Sequence, residues 1–280
     1  MKIAQFYLQD VLHYGVIEDE KIHYITAMPD MPATLQALFD GGDAAYEALK
    51  KNWRLAPVVS LKDVRLAPAV TEPGKIICIG LNYRAHAAEA GEKLPAFPEV
   101  FSKFNNALAA NGDVVHVAPA AGQIDYEAEL VAVIGKTCKN VDESTAAASV
   151  FGYTCGNDIS AREQQLRVSQ WFTGKSQDGF APVGPWIVTA DALDASALDI
   201  RMYRGENMCQ NSNTEKMIFS VPFIVSYLSR YMTLCPGDII FTGTPEGVIL
   251  GTQDKNWLQP GETVTVEIEG IGRLTNYIGE

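Results

Sequence analysis

Two glutamates, Glu127 and Glu129, lie near the start of a segment over residues 125–134 that is otherwise mostly apolar. The segment predicts a buried strand, in which residues two apart point to the same face, so both carboxylates share a side with Val131 and Val133. Two like charges on a partly buried face repel and are costly to desolvate unless a cation or a proton neutralises them. A divalent metal site explains the pair, and so does a solvated strand end, where polar residues are common.

A third carboxylate, Asp158, follows the apolar strand predicted over residues 150–155. Ser160 and Glu163 have the spacing of a capping box and predict a helix start, which places Asp158 at a strand-to-helix junction. Functional carboxylates are common at such junctions, but Asp is also common there as a turn or capping residue. If the three carboxylates converge, oxygen ligands without His or Cys favour Mg²⁺, Mn²⁺ or Ca²⁺ over Zn²⁺.

A histidine and a glutamate three residues apart, His86 and Glu89, form a second candidate pair. On a short helix they share a face, and a carboxylate beside an imidazole orients it and raises its basicity. The pair is therefore a candidate general base. A surface helical turn with an incidental histidine explains the same spacing.

Two loops carry groups that suit an anion. Lys175 lies in Gly174-Lys175-Ser176, but the glycine that a phosphate-binding loop requires five residues before Gly174 is Ser169, so this pattern fails and leaves an isolated cation. The loop 242–247 follows a predicted strand, and its glycine N–H groups and the Thr244 hydroxyl could reach an anion. A plain turn explains this loop equally well.

The composition is ordinary for a soluble globular protein. Its 280 residues allow one large domain, or one with a small appendage, and 47% of them are hydrophobic and 20% charged. The net charge is −12 and no Lys or Arg cluster is present, so neither nucleic acid nor an anionic membrane is expected as a partner.

Cysteine usage and hydropathy indicate the compartment. The five cysteines are scattered and lack Cys-x-x-Cys spacing, which argues against a disulfide framework or a thiolate zinc site. No apolar run approaches the roughly 18 residues of a membrane span. The N-terminus alternates like a strand and turns acidic at residues 18–20, unlike a signal peptide. We therefore expect a cytoplasmic protein whose mature chain begins near Met1.

The predicted elements divide the chain near residue 70. Residues 1–70 form a small α+β unit with strands over 3–8, 11–17 and 21–25 and a helix near 43–51, and residues 71–280 form the second domain. Predicted strands of that domain cover residues 75–80, 114–118, 126–134, 150–155, 184–188, 200–203, 238–242, 262–268 and 274–278, and predicted helices cover 142–151, 160–168 and 219–232. Strands in excess, without regular β-α alternation, predict a β-rich α+β fold with mixed sheets.

Taken in chain order, six short motifs resemble those of the fumarylacetoacetate hydrolase family, over residues 70–278. The motifs are Ile79-Gly80-Leu81-Asn82-Tyr83 with His86 and Glu89, Asp125-Tyr126-Glu127-Ala128-Glu129-Leu130, Asn157-Asp158 with Ala161-Arg162, Gly174-Lys175-Ser176, Gly184-Pro185-Trp186, and Pro236-Gly237-Asp238 leading to Thr242-Gly243-Thr244-Pro245. The likeness is to the short, acylpyruvase-like and bacterial isomerase-decarboxylase branch, which has a small N-terminal domain.

The resemblance implies a mixed-sheet β-roll of the family's C-terminal type and a homodimer formed through it. It implies Mg²⁺ or Mn²⁺, with Ca²⁺ as a further candidate, held by the three carboxylates Glu127, Glu129 and Asp158. The catalytic residues that it implies are His86, Glu89 and Lys175, and the candidate substrate-binding residues are Gln165, Thr244 and Arg84.

The activity that the resemblance implies is carried out on a small keto acid. The first hypothesis is hydrolysis of an acylpyruvate-type β-diketo acid, in which the metal stabilises the enolate, His86 deprotonates the attacking water, and pyruvate is released. Oxaloacetate decarboxylation and isomerisation of a 2-hydroxyhepta-2,4-diene-1,7-dioate-type acid use the same metal-enolate site and are the alternatives. A ligand-binding protein without catalysis is a further hypothesis, although such a protein would need no base.

Residues 84–98 carry the candidate base, and we expect them to form a mobile lid that closes over substrate. The segment begins with small residues that offer little side-chain area to anchor it: Ala85, Ala87, Ala88, Ala90 and Gly91. Closure would bring His86 to the water.

Overall fold

The computed structural model describes residues 1–89, 91–118 and 122–280. The strands within these ranges are β1 (Lys2–Leu8), β2 (Val11–Glu18), β3 (Lys21–Tyr24), β4 (Val58–Ser60), β5 (Arg65–Leu66), β6 (Ile76–Gly80), β7 (Glu99–Lys103), β8 (Leu108–Ala109), β9 (Val114–His116), β10 (Ile124–Asp125), β11 (Ala128–Ile134), β12 (Val150–Asn157), β13 (Ser160–Ala161), β14 (Ala181–Thr189), β15 (Asp199–Arg204), β16 (Asn207–Asn213), β17 (Ile239–Phe241), β18 (Thr263–Ile268) and β19 (Gly272–Gly279). The α-helices are α1 (Leu35–Asp40), α2 (Gly42–Asn52), α3 (Arg84–Glu89), α4 (Glu143–Ala148), α5 (Arg162–Leu166), α6 (Phe172–Lys175) and α7 (Val221–Tyr231).

Twelve strands form one mixed sheet with the path β4-β3-β2-β1-β14-β12-β11-β17-β6-β7, in which β5 also pairs with β1 and β8 with β14. A second sheet of five strands has the order β16-β15-β18-β19-β9, and β10 pairs with β13. The β-rich α+β class predicted from the sequence is confirmed. None of the helices described is long and apolar enough to cross a membrane.

The N-terminal strands extend the large sheet. Strand β1 pairs with β14 through Lys2 opposite Val188 and Ile3 opposite Ile187. Strands β1 to β3 lie within two residues of their predicted positions. The domain boundary near residue 70 stays a prediction.

Strand β11 lies inside the large sheet and is buried along its whole length. Leu130, Ala132 and Ile134 enter the core that also contains residues of the five-stranded sheet and of α7. Val131 and Val133 enter the opposite core, which contains residues of α1 and α2. The alternation predicted from the apolar run is confirmed, and it places Glu129 on the Val131 side.

Several predicted element boundaries are wrong for identifiable reasons. Ser160 does not cap a helix, because its backbone pairs with Asp125 and its hydroxyl donates to the Asp158 carbonyl at 2.9 Å, so α5 begins only at Arg162. The helix predicted over residues 142–151 ends at Ala148, since the following residues pair with β11 as β12. The polar strand β16 has no apolar pattern and is held by its hairpin with β15.

Four strand ends meet at one edge of the large sheet. Strand β17 runs parallel to β6 and antiparallel to β11, which in turn is antiparallel to β12. The carboxyl ends of β6, β12 and β17 therefore lie beside the amino end of β11. This edge brings together the segments that carry the candidate site residues.

Candidate active site

Glu127, Glu129 and Asp158 converge at this edge. Each has a carboxylate oxygen within 4.8 Å of the others, and all three side chains are buried. Glu127 directly precedes β11 and Asp158 directly follows β12, and the Asp158 N–H donates to the Glu127 carbonyl at 2.9 Å. Because β11 and β12 are antiparallel, the two carboxylates end up side by side although 31 positions separate them in sequence.

Backbone and side-chain donors fix the orientation of the glutamates. The Gly243 N–H donates to Glu129 Oε2 at 2.6 Å. The Asn157 side chain accepts a hydrogen bond from the Glu127 N–H at 3.0 Å and so holds the chain just before β11. The loop after β17 thus reaches the carboxylates through Gly243.

Three buried cations surround the carboxylates. Lys175 Nζ lies 2.8 Å from both Glu127 Oε2 and Asp158 Oδ2. Lys103 Nζ lies 2.5 Å from Asp158 Oδ1, and Arg162 Nη2 lies 2.7 Å from Glu127 Oε1. These short, buried contacts neutralise charge that the interior would otherwise not tolerate.

The buried charges shift the pKa values of one another. Burial alone would raise the pKa of Glu127, but Lys175 and Arg162 outweigh it and hold this pKa below its usual range. For Glu129, burial, together with the charges of Asp158 and Glu127, raises the pKa well above its usual range. Burial lowers the pKa of Lys175, but the same two neighbours raise it overall. These surroundings therefore favour the protonated form of the Glu129 carboxyl group.

The candidate base His86 and its neighbour Glu89 both lie on α3. His86 is buried, and its Nδ1 lies 3.5 Å from Glu89 Oε2, which is ion-pair distance and longer than a hydrogen bond. The Gly247 N–H donates to the Glu89 carboxylate at 3.1 Å. The Glu89 side chain thereby ties α3 to the loop that follows β17. Ala90, which belongs to the predicted lid, lies outside the described residues.

A cavity of about 540 Å³ is lined both by His86 and Glu89 and by the carboxylates of Glu127 and Glu129. Gln165 and Thr244 line it as predicted; Gln165 Oε1 accepts from Arg162 Nη1 at 2.9 Å, and Thr244 Oγ1 accepts from Gln210 Nε2 at 2.9 Å. Seven of the nine predicted site residues line the cavity, namely His86, Glu89, Glu127, Glu129, Gln165, Lys175 and Thr244. Asp158 does not line the cavity but belongs to the carboxylate cluster and contacts Lys175 Nζ at 2.8 Å. Arg84 is exposed and is not part of the cavity wall.

The donor set fits a hard divalent cation. With Asp125 included, four buried carboxylates face the three buried cations Lys103, Lys175 and Arg162. Within the described ranges no His or Cys belongs to the carboxylate cluster. A set of oxygen donors without nitrogen or sulfur ligands is what Mg²⁺, Mn²⁺ and Ca²⁺ prefer.

Comparison with known proteins places this arrangement in a family. Residues 75–279 match the family model described as fumarylacetoacetate (FAA) hydrolase C-terminal. The chain belongs to this family. The expected fold of the family's C-terminal type is thereby confirmed for most of the chain.

The relatives of this chain carry names that refer to more than one reaction. A fumarylacetoacetate hydrolase domain-containing protein 2 homolog from Dictyostelium discoideum is 47% identical over 81% of the chain and 77% of its own length. The mitochondrial oxaloacetate tautomerase fahd2 from Xenopus laevis is 36% identical over 89% of the chain and 80% of its own length. The structure of a maleylpyruvate hydrolase from Sphingobium sp. SYK-6 has a TM-score of 0.83 and 31% identity, with 100% of the chain and 99% of that structure covered.

Several residues of the candidate active site were not predicted from the sequence. Arg162 and Asp125 belong to two of the six motifs, and their closeness in those motifs to Asp158 and Glu127 is the signal that could have identified them as a buried ion pair. Asp125 Oδ2 accepts from Arg162 at 2.8 Å. Lys103 gave no signal, because it ends β7, a mostly exposed strand without apolar alternation, and only the tertiary fold brings it to Asp158. Gln210 lies on the unpredicted strand β16.

Proposed function

We propose that this protein is a divalent-metal-dependent hydrolase that cleaves a C–C bond in a small acylpyruvate-type β-diketo acid and releases pyruvate. The observation that carries the proposal is that the His86–Glu89 pair and the carboxylates of Glu127 and Glu129 line one cavity. A positioned base beside a cation site suits a reaction that needs both proton transfer and enolate stabilisation.

Glu127, Glu129 and Asp158 are the residues that would hold Mg²⁺ or Mn²⁺, with Ca²⁺ as a further candidate. When bound there, the cation would act as a Lewis acid that polarises the keto group of the substrate and stabilises enolate charge. Arg162 and Lys175 keep Glu127 ionised for this role.

His86 would take the proton of a water molecule, with Glu89 holding the imidazole in orientation. Both residues lie on α3, so a small rotation of the Glu89 side chain would shorten the 3.5 Å between His86 Nδ1 and Glu89 Oε2 to a hydrogen bond. The water oxygen then bonds to the distal carbonyl carbon, the bond from that carbon to the methylene breaks, and the methylene takes a proton. The products are a carboxylic acid and pyruvate.

Two cavity residues would stabilise the oxyanion formed by water attack. Lys175 donates to two carboxylates and has a third N–H for the substrate. Gln165 accepts from Arg162 through Oε1, which leaves its NH₂ group as the donor to the cavity. Preorganised donors of this kind act strongly in a buried site.

Tautomerisation of oxaloacetate is the second candidate, supported by the Xenopus relative named for that reaction. His86 would then move a proton between C-3 and the enol oxygen, and no bond to water would form. Lys255 lines the cavity, and its Nζ donates to the Leu250 carbonyl and, within the described part of the chain, to no carboxylate, so it suits the second carboxylate of such a substrate. Decarboxylation of oxaloacetate and isomerisation of an unsaturated dioate are the remaining alternatives for this site. The decarboxylation does not require His86 as a base.

The test is a panel assay of the purified protein with Mn²⁺ or Mg²⁺, using an acylpyruvate, oxaloacetate and an unsaturated dioate. Pyruvate, CO₂ and the keto–enol absorbance are followed separately. We expect pyruvate without CO₂ from the acylpyruvate, loss of turnover with chelator, and loss of turnover in His86→Ala but not in the surface control His116→Ala. Absence of metal-dependent turnover of every substrate would support the ligand-binding hypothesis and contradict the proposal.

A further inference from the structure

The Glu89 carboxyl group occupies the space that a side chain on Gly251 would fill. A Cβ added to Gly251 would meet Glu89 Cγ, Cδ and Oε1 as its nearest atoms, all closer than the 3.0 Å that real Cβ atoms observe. Gly251 has no positive φ, so its backbone would accept alanine. The absence of a side chain at this position therefore serves the neighbouring carboxylate and not a special backbone conformation.

We call the space around the Glu89 carboxylate, formed by Gly247 and Gly251, the Glu89 seat. Its other side is formed by backbone. The Gly247 N–H donates to the Glu89 carboxylate, at 3.2 Å to Oε1 and 3.1 Å to Oε2. Gly251 closes the 3₁₀ turn Ile249–Gly251 that follows. The carboxylate is thus held from one side by a donor and on the other by the bare Cα of Gly251.

The turn that forms the seat is fixed to the carboxylate cluster. Asp125, which is fully buried, accepts from the N–H groups of Ile249 at 2.8 Å and Leu250 at 2.9 Å. Asp125 also pairs with Arg162 at 2.8 Å, and Arg162 contacts Glu127 at 2.7 Å. The position of the seat relative to the cluster is therefore set by charge-assisted hydrogen bonds, which are short and directional.

We propose that Gly251 is a positioning residue, whose missing side chain seats Glu89 against the Gly247 N–H and beside His86. The catalytic consequence rests on the proposed function, because it requires His86 to be the base; the seat itself does not. Glu89 acts on His86, and Gly251 acts only through Glu89.

The variant Gly251→Ala tests the seat without threatening the fold. The added methyl meets the end of a flexible side chain, which can rotate into the cavity, so we expect the melting temperature to stay near that of the wild type. A misplacement of about 1 Å in a catalytic group can cost roughly 100-fold in rate, so we expect kcat to fall roughly 10- to 100-fold. The Kd for Mn²⁺ should stay unchanged, because the carboxylate cluster is untouched.

A double-mutant cycle separates the seat from a general structural effect. In a Glu89→Ala background the seat is empty, so Gly251→Ala should cause no further loss of kcat. Gly74→Ala is the matched control, since its Cβ would meet a carboxylate oxygen, Asp238 Oδ1, at 3.0 Å outside the cavity. It should leave kcat unchanged.

Amide hydrogen exchange gives a readout that needs no activity. In the wild type the Gly247 amide is held by Glu89, so its exchange should speed up in both Gly251→Ala and Glu89→Ala and stay slow in Gly74→Ala. Wild-type kcat with a protected Gly247 amide in Gly251→Ala would overturn the proposal, as would an equal loss of kcat in both backgrounds or a changed Mn²⁺ Kd. If the wild type turns over no keto acid, the proposed function fails, while the exchange of Gly247 still decides on the seat.

Discussion

Replacing Lys175 with methionine tests whether its ammonium group stands in for part of the charge of a bound cation. Lys175 is buried and its Nζ lies 2.8 Å from both Glu127 Oε2 and Asp158 Oδ2. Methionine keeps a long apolar side chain and removes the charge. The metal-free variant must then bury two carboxylates that have lost a shared partner.

The magnitude follows from the burial of this contact. Breaking a buried ion pair by removing one partner costs about 3–5 kcal/mol. With an unfolding entropy of about 2.1 cal/mol/K per residue, a chain of 280 residues has about 0.6 kcal/mol/K, so the melting temperature of the metal-free protein should fall by about 5–8 °C. Lys136→Met is the matched control, because Lys136 contacts Asp43 at the same 2.8 Å on the exposed surface. Such a pair is worth about 0–1 kcal/mol.

Although Lys175→Met should destabilise the metal-free protein, it should strengthen metal binding. Lys175→Met leaves a more negative cluster, so we expect the Kd for Mn²⁺ to tighten by about tenfold or more, which corresponds to about 1.4 kcal/mol. Mn²⁺ should therefore raise the melting temperature of the variant more than that of the wild type. Calorimetry with and without Mn²⁺ and a binding titration measure both effects. Equal stability of metal-free variant and wild type, or an unchanged Kd, would refute the assignment of Lys175 as a competing charge.

Three further predictions concern the candidate base His86, the carboxylate of Glu129 and the oligomeric state. His86→Ala should lower kcat for acylpyruvate hydrolysis on the order of 100-fold or more with the Mn²⁺ Kd unchanged, while any oxaloacetate decarboxylation survives better; full hydrolysis would exclude His86 as the base. Glu129→Gln keeps an acceptor for the Gly243 N–H, so the metal-free protein should stay as stable as the wild type while Mn²⁺ affinity and activity fall together in titration and assay. The protein should be a homodimer, so light scattering at micromolar concentration should give twice the chain mass, and a monomer mass would contradict this.

The carboxylate cluster was predictable because most of its geometry is local to two strands. The alternation along β11 determines that Glu129 lies on the Val131 side, and the antiparallel neighbour β12 brings Asp158 next to Glu127. A two-residue period and a strand-to-helix junction are visible in sequence. The convergence itself depends on the pairing of β11 with β12, which the sequence did not predict; only the family resemblance implied that the three carboxylates come together.

The residues that were missed depend on long-range contacts that no local pattern encodes. Lys103 reaches Asp158 from β7, an outer strand of the sheet, and also donates to the carbonyl groups of Ile159 and Phe180. Gly251 lies more than 150 positions from Glu89, and its role is visible only as space. Composition and spacing indicate the chemistry of which a residue is capable. Lys103 and Gly251 matter because of their positions in the folded chain, which composition and spacing do not give.

One buried residue, Asp125, links the turn beside Glu89, the partner of the candidate base His86, to the carboxylate cluster. It accepts from the turn that seats Glu89 and from Arg162, which contacts Glu127. Buried charges that are only partly satisfied destabilise a fold, whereas a fully satisfied network is rigid and directional. Asp125 accepts from three backbone N–H groups, those of Tyr126, Ile249 and Leu250, and from one guanidinium, so its position is over-determined. A base on a short helix and a carboxylate on a central strand can therefore keep a defined separation, which proton transfer beside a bound cation requires.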